Sequence, residues 1–417
     1  MRIGVNTLFL VPGDVGGTEI YLRRNLLAMV ADNPQDVFVL FTAVDNQGLF
    51  RDELKDFANV EYVGLPFRAA IRPLRIICEQ VLLPWYVWKN KVAVLWSPGY
   101  TAPALCSCPQ AVTVHDLQYK SHPDDLSSLE RITLDALVRT ACHQCEAIIA
   151  VSEFSKKEIL SYGFAAEEKV HAVPEGVEPD FAHPVAKEDA VQLPVAGNPY
   201  ILCVAHTYPH KQVHLLIEAF SRLAEKIPHH LVMVGRPRRG EGRVEESLAA
   251  CPARDRVHRL ASLEYTELRS LYQQADVFVL PSEYEGFGLP VLEALLAGVP
   301  VVTTNKASLP EVGGDCAVYV QQSCPQGFAE AMAYVFGKTS NERAGMIDRG
   351  RAWAQGFTWK KSAARTLHVL KDVAGAIGPF CGEKYFLFAK TNRLCKYLNT
   401  IFCPVPLRSR IFFFHPQ

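Results

Sequence analysis

The sequence has no surplus of charge: 43 lysines and arginines stand against 44 aspartates and glutamates, a net of −1. A protein that held nucleic acid through a basic field would carry such a surplus, so nucleic acid is not an expected partner. Nor does any uninterrupted apolar run reach the roughly 18 residues that a membrane helix needs. The chain opens on a strand-like Ile3-Gly4-Val5 and not on the charged start and apolar core of a secretory signal. The expectation is a cytoplasmic protein. Cysteine is not scarce, at 12 residues, but the residues are scattered through core-like segments of a long chain. Cys142/Cys145 with Cys106/Cys108 is a conceivable zinc set, yet free buried thiols are the default for such a pattern.

What is present is length and apolar mass. At 417 residues with 49% hydrophobic side chains, the chain exceeds what one core usually serves, and two domains are expected. The stretch 281–304, PSEYEGFGLPVLEALLAGVPVVTT, is the most informative. It follows an apolar run, Val277-Phe278-Val279-Leu280, that reads as a buried parallel strand. A polar, glycine-punctuated loop leads into a short helix with Pro290 in its first turn, where the missing N–H costs nothing. Gly298 ends that helix and 299–302 starts the next strand. Between 290 and 297 every side chain except Glu293 is apolar or small, so this helix is buried nearly all round. A buried carboxylate needs a partner. Glu285 and Glu293 are thus either a solvated loop residue and an internally bonded one, or ligands at the carboxyl edge of a parallel sheet, where α/β sheets bind substrates and a helix N-terminus attracts phosphate.

The rest of the chain alternates strand and helix signals. A first strand over 1–9 is followed by a turn-rich loop and a helical pattern over 18–30, which puts Gly16 and Gly17 where backbone can approach a ligand closely. Strands are expected at 36–40, 60–63, 92–96, 111–114 and 147–151. Between them lies a helix over 74–87, which Pro84 should end or kink. His115 closes the strand at 111–114, as a packed side chain or as a ligand at that same edge. Ser152 is a candidate helix N-cap, as is Ser155. The proline-rich segment 178–199 reads as a linker. A second cycle begins at 200–205, with the loop 206–211 carrying His206 and Lys211, then a helix over 213–226 and a strand over 230–235. The basic run 236–239 reads as a solvated loop or as part of a diphosphate or acceptor site. A short strand at 257–260, a helix over 263–274, a strand at 316–320, a helix over 323–336 and helical signals through 340–371 follow. From 373 onward the sequence is basic and aromatic, which suits either an interfacial membrane anchor or an unordered extension.

Taken together, GGTE at 16–19, TVHDL at 113–117, AVSEFSKKEI at 150–159, PHK at 209–211, LIEAF at 216–220 and EGFGLPVLEALLAGVPVV at 285–302, with SLPEVGGDCA after it, resemble the retaining glycosyltransferases of family 4 (GT4). They occur in family order over roughly residues 1–370. The spacing between Glu285 and Glu293 is uninformative alone, but within EGFGLPVLEA it is highly specific. The resemblance implies an α/β protein of GT-B fold: two Rossmann-like domains with parallel sheets facing across a cleft. The first, on the acceptor side, would span 1–185. The second, which binds a nucleotide-sugar donor, would span 200–355, with a helix at 356–372 crossing back and a tail at 373–417.

The resemblance also implies roles. Glu293 would accept hydrogen bonds from the donor ribose. Glu285 would face the sugar hydroxyls and the charge developing at the anomeric carbon. The backbone of Gly286, Phe287, Gly288 and Leu289 would bind sugar hydroxyls and phosphate, with Gly16 and Gly17 across the cleft. Lys211 would neutralise the diphosphate, and His115 would lie near the anomeric centre. His206 occupies a place where many family members carry an arginine. No convincing Asp-x-Asp loop is present (Asp124 and Asp125 are merely adjacent), so no metal and no cofactor are expected. The segments RIICEQVLLP at 75–84 and LWSPGYTAP at 95–103 resemble members that build surface polysaccharides, often from GDP-mannose. The resemblance thus favours GDP-mannose as donor, with UDP-glucose, UDP-GlcNAc and dTDP-rhamnose as alternatives, and a glycan or lipid-linked oligosaccharide as acceptor, with peripheral membrane contact through the tail. A sugar-nucleotide hydrolase or epimerase, and a non-catalytic sugar-nucleotide-binding protein, remain the alternative readings.

Overall fold

A computed structural model describes residues 1–11, 16–186, 195 and 197–376. The basic aromatic tail, and the membrane contact expected of it, fall almost wholly outside the described residues. So does most of 187–196 within the proline-rich segment.

Short apolar runs become two wholly parallel sheets. The first contains β1 (Arg2–Asn6), β2 (Val37–Thr42), β3 (Val60–Gly64), β4 (Val94–Ser97), β5 (Gln110–Val114), β6 (Ala147–Ala150) and β7 (Val170–Ala172), in the order β3-β2-β1-β4-β5-β6-β7. The second contains β8 (Tyr200–Val204), β9 (His230–Val234), β10 (Val257–Leu260), β11 (Val277–Leu280), β12 (Val301–Thr304) and β13 (Ala317–Val320), in the order β10-β9-β8-β11-β12-β13. Central strands such as β4, β5, β6 and β11 are buried along their whole length, because helices cover both faces. In each sheet the strand order reverses once, between β1 and β4 and between β8 and β11. Loops leaving the carboxyl ends of those strands diverge there and open a crevice.

Three sequence expectations change in the structure. The helix Arg72–Lys89 continues past Pro84 without ending. Pro84 is buried, and Leu82, Leu83 and Val87 around it are inserted in the core beside β2 and β4, so tertiary packing outweighs the lost hydrogen bond. The helical signal over 340–371 is two helices, Ser340–Ala354 and Trp359–Ala376. Between them, Gly356 and Phe357 turn back through amide bonds to the carbonyls of Trp353 and Ala354. That turn carries the chain from the second sheet to the first: Ser340–Ala354 packs on Leu289–Ala297, while Trp359–Ala376 packs on Gly17–Asp32 and on β4, β5 and β6. Finally, Ser152 caps the helix Glu153–Ser161 by accepting from the Ser155 amide at 3.0 Å, so Ser155 is not a cap but lies in the first turn.

The two halves touch through polar pairs as well. Glu311 of the second half accepts the amides of Glu153 and Phe154 at 2.8 and 2.6 Å, a carboxylate at a helix N-terminus where it is favoured. The Tyr284 hydroxyl donates to Glu158 and accepts from the Leu117 amide. His210 Nδ1 lies 2.8 Å from Asp125 Oδ2, with both side chains buried.

Candidate active site

The carboxyl ends of β8 and β11 face those of β1, β4 and β5 across a cleft of about 560 Å3. All eleven residues singled out in the sequence line it: Gly16, Gly17, His115, His206, Lys211, Glu285, Gly286, Phe287, Gly288, Leu289 and Glu293.

Lys211 owes its place to a tight turn. Pro209 opens the single turn Pro209–Lys211, and Gln212 then adopts a left-handed conformation (φ 48°) before the helix Val213–Leu223. The Lys211 ammonium ends 2.6 Å from Glu285 Oε2, with both side chains largely buried. Glu285 sits on a loop pinned by Ser308, whose hydroxyl lies 2.8 and 2.6 Å from the carbonyl oxygens of Glu285 and Phe287. The loop ends at Gly288 with φ 109°, a conformation that glycine adopts without strain. It delivers the chain to the N-terminus of Leu289–Ala297, whose dipole faces the cleft residues.

Glu293 is the exception on that helix: Val291, Leu292 and Ala294 through Ala297 are buried around it. Its partner is Tyr272, a fully buried residue whose hydroxyl donates to Oε2 at 2.8 Å. Burial above all raises the Glu293 carboxyl, the Tyr272 bond pulls it part of the way back and the nearby negative charge of Glu178 adds a little, which together leave it at about 7. If ribose hydroxyls donate to this carboxylate, it must be ionised to receive them. The donor KM is then expected to rise about tenfold per pH unit below about 7 and to level off above it. Tyr272→Phe removes the one bond that favours the charged form, so the break moves to higher pH. A KM–pH profile for both proteins checks this; a flat profile across about pH 6 to 8 removes Glu293 from the donor site.

His115 follows β5 and is 6% exposed. Its Nε2–H donates to the Pro98 carbonyl at 2.9 Å, and Nδ1 lies 3.5 Å from Glu175 Oε1. The rings of Tyr21 and Tyr100 pack on it at 4.8 and 5.2 Å. Both ring nitrogens thus face oxygen atoms of the protein itself. Glu175 is buried, and burial raises its carboxyl above the ordinary range. Tyr100 is held at φ 70°, a rare conformation for a bulky residue.

Glu175, Tyr100, Asp116 and Tyr272 escaped the sequence reading. Tyr272 is hidden in an ordinary amphipathic pattern, Glu175 in a strand-end turn. Arg236, exposed, and Arg238, half-buried, both line the cleft, and the segment is tied back by the Arg236 amide to His206 Nδ1 (2.9 Å) and the Arg238 amide to Thr207 Oγ1 (2.7 Å). His206 therefore accepts through Nδ1, and burial, then the charges of Arg238, Lys211 and Arg236, lower its pKa. It contributes a neutral N–H donor, not a second cation, while Arg236 and Arg238 widen the cationic wall begun by Lys211. Among the described residues no cluster of three or more His, Cys, Asp or Glu could hold a metal ion. Cys108, Cys142 and Cys145 are buried free thiols.

Two family models match the chain in succession: Glycosyltransferase Family 4 over residues 15–181 and Glycosyl transferases group 1 over residues 185–353. The chain belongs to the group 1, family 4 glycosyltransferases. Among its relatives, the O-antigen chain mannosyltransferase B of Escherichia coli is 27% identical over 316 residues, covering 72% of this chain and 81% of the relative. The MMP alpha-(1->4)-mannosyltransferase of Mycolicibacterium hassiacum is 32% identical over 246 residues, 57% of each chain. In fold the chain is similar to Anabaena HepE, solved with UDP and glucose, at a TM-score of 0.70 and 19% identity over 89% of this chain and all of that one. It is also similar to WaaG, a glycosyltransferase involved in lipopolysaccharide biosynthesis, at a TM-score of 0.64 and 15% identity over 89% and 99%. The architecture is the GT-B fold.

Proposed function

We propose that this glycosyltransferase moves a hexose, with retention of anomeric configuration and without a metal, from a nucleoside-diphosphate sugar to a glycan or lipid-linked saccharide in surface polysaccharide synthesis. Mannose from GDP-mannose is the favoured donor, supported by the mannosyltransferases among the relatives. The observation that carries the reading is the Lys211–Glu285 pair at 2.6 Å, set at a helix N-terminus in the cleft between the two sheets.

In this reading the nucleoside lies along β8 to β10, its ribose on Glu293. The diphosphate meets Lys211, Arg236 and Arg238, which offset the charge that builds as the bond between the anomeric carbon and the phosphate oxygen breaks. The acceptor oxygen approaches from the side of β1 and β5, forms the new bond to that carbon, and passes its proton to the departing phosphate oxygen. Glu285, released from Lys211 as the phosphate takes the ammonium, faces the electron-poor sugar ring. Preorganised donors of this kind contribute on the order of 3–4 kcal/mol each.

Incubation of the full chain with a panel of nucleotide sugars and candidate acceptors tests the assignment. Acceptor-dependent turnover, fastest with GDP-mannose, is the expected result. Release of free sugar or isomerisation without an acceptor overturns it in favour of a hydrolase or epimerase, and binding without turnover in favour of a non-catalytic protein.

A further inference from the structure

Cys106 and Cys108 lie where the loop after β4 bends, at Ser107 and Cys108, before it enters β5. In an extended chain, side chains two residues apart stand well separated along the strand. Here the bend draws the two sulfur atoms to 3.8 Å. A disulfide sets its sulfurs about 2 Å apart, so the gap left is one that side-chain rotation and a small backbone movement span. The loop is fixed on both sides of the pair. Gln80 donates to the Ala102 carbonyl at 3.0 Å and accepts the Ala104 amide at 2.8 Å, and the Gln110 side chain donates to the Pro103 carbonyl at 3.0 Å. Beyond the pair, the Gln110 amide donates to Glu146 at 2.8 Å.

The two thiols differ in access. Cys106 is half-buried, beside the exposed Leu105, whereas Cys108 is 6% exposed. Burial above all, and then the neighbouring Cys106, hold the Cys108 thiol well above its ordinary pKa. Cys106 is therefore the sulfur that a small oxidant meets, and Cys108 the protonated neighbour behind it. Cys142 and Cys145 are fully buried, out of reach of such an oxidant. The loop joins β5 at Gln110, the end of that strand opposite His115, so the pair lies away from the cleft.

We propose that Cys106 and Cys108 form a reversible dithiol, oxidised to an intramolecular disulfide by a small-molecule disulfide of the glutathione class. Cys106, as the thiolate, attacks one sulfur of the oxidant, forms a mixed disulfide and releases one thiolate. Cys108 then attacks the Cys106 sulfur, closes the ring and releases the second thiol, which takes the Cys108 proton. Two protein thiols are oxidised, and one disulfide is reduced to two thiols. A ring that spans only Ser107 is strained, and strained disulfides are the labile ones, so excess thiol reopens it. Closure also removes Cys106 from irreversible oxidation to the sulfinic and sulfonic acids. Neither donor nor acceptor takes part, so the proposal stands or falls apart from the transferase reading.

The test treats the full chain with glutathione disulfide, blocks the remaining thiols with iodoacetamide and weighs the tryptic peptide 92–120, which holds Cys106 and Cys108 and no other cysteine. The peptide is expected two hydrogens lighter and unalkylated, to revert with excess dithiothreitol, and to form at least about tenfold faster in the folded chain than as the free peptide. Cys108→Ser should trap glutathione on Cys106, and Cys106→Ser should leave Cys108 unmodified. A measurement on the parent alone guards against a variant that fails to fold: phenylarsine oxide, which bridges two neighbouring thiols with loss of water, should protect the same peptide from iodoacetamide. A parent peptide that stays fully alkylated, one that keeps a stable glutathione on Cys106, or equal rates in the chain and the free peptide would each overturn the proposal, as would no protection by the arsenical.

Discussion

Lys211→Ala is expected to lower kcat/KM at least about a hundredfold, through kcat more than through KM. The ammonium pairs with Glu285, and in the proposed reaction its full value is realised only when charge accumulates on the leaving phosphate. In the unliganded cleft it has a second duty. With Glu285 Oε2 2.6 Å away and both groups largely buried, each is the other's partner. Removing one leaves a desolvated, unpaired charge. Glu285→Ala should therefore cost about as much, and the double variant far less than the product of the two. Steady-state kinetics of the three variants, with circular dichroism to confirm folding, checks this. Rates unchanged in either single variant would remove both residues from the reaction.

The second large effect is expected at Gly286, which carries no chemistry of its own. A Cβ there would sit 2.3 Å from the His115 carbonyl oxygen and 3.0 Å from Asp116 Cβ. The carbonyl of Gly286 also accepts the Ser152 hydroxyl at 2.7 Å, so this residue is where the loop after β11 presses on the opposite half. The obstacle is backbone on both sides and cannot rotate away. Gly286→Ala must push the loop back, and Glu285 and Phe287 move with it. A shift of about 1 Å at reacting groups costs roughly a hundredfold in rate, with overpacking adding about 1–3 kcal/mol of destabilisation. Ser152→Ala, which loses the bond to Gly286 and the cap of Glu153–Ser161 but creates no clash, should lower turnover far less, at about 1 kcal/mol in stability. Comparing kcat and Tm for the pair separates the steric effect from the polar one. Equal, small effects would mean that the halves do not close on this glycine.

Much of the site was legible because its residues sit in short, contiguous signals. Gly288 and Gly298 bracket a helix whose only charge is Glu293, and a carboxylate in that position announces a need for a partner. Lys211 follows a proline-led turn after an apolar strand, and His115 ends one. Strand-end loops in parallel sheets gather at one edge, so these positions share an edge once the periodicity is read. The partners were not legible. Tyr272 lies 21 residues before Glu293 on another helix, where a tyrosine looks like any core aromatic, and only the packing of that helix on Leu289–Ala297 brings its hydroxyl to the carboxylate. For Arg236 and Arg238 the pattern left a solvated loop and a diphosphate or acceptor site both open, and only the fold shows Thr207 and His206 holding their amides beside the cleft.

The sequence by itself determined the α/β character, the two cycles of strand and helix, and the chemical types in the cleft, because hydrophobic period and glycine and proline placement act locally. Tertiary structure decided the rest. It carried Arg72–Lys89 through Pro84, since a helix wedged between core side chains retains its form at the loss of one hydrogen bond. It broke the final helical signal at Gly356 so that Trp359–Ala376 could cover the first sheet. It set Glu293 at about 7 by desolvation, a property of surroundings and not of residue type. And it left Ile77 and Trp88 of Arg72–Lys89 exposed, which no helical periodicity reveals, because an apolar position reads the same whether or not a neighbour covers it.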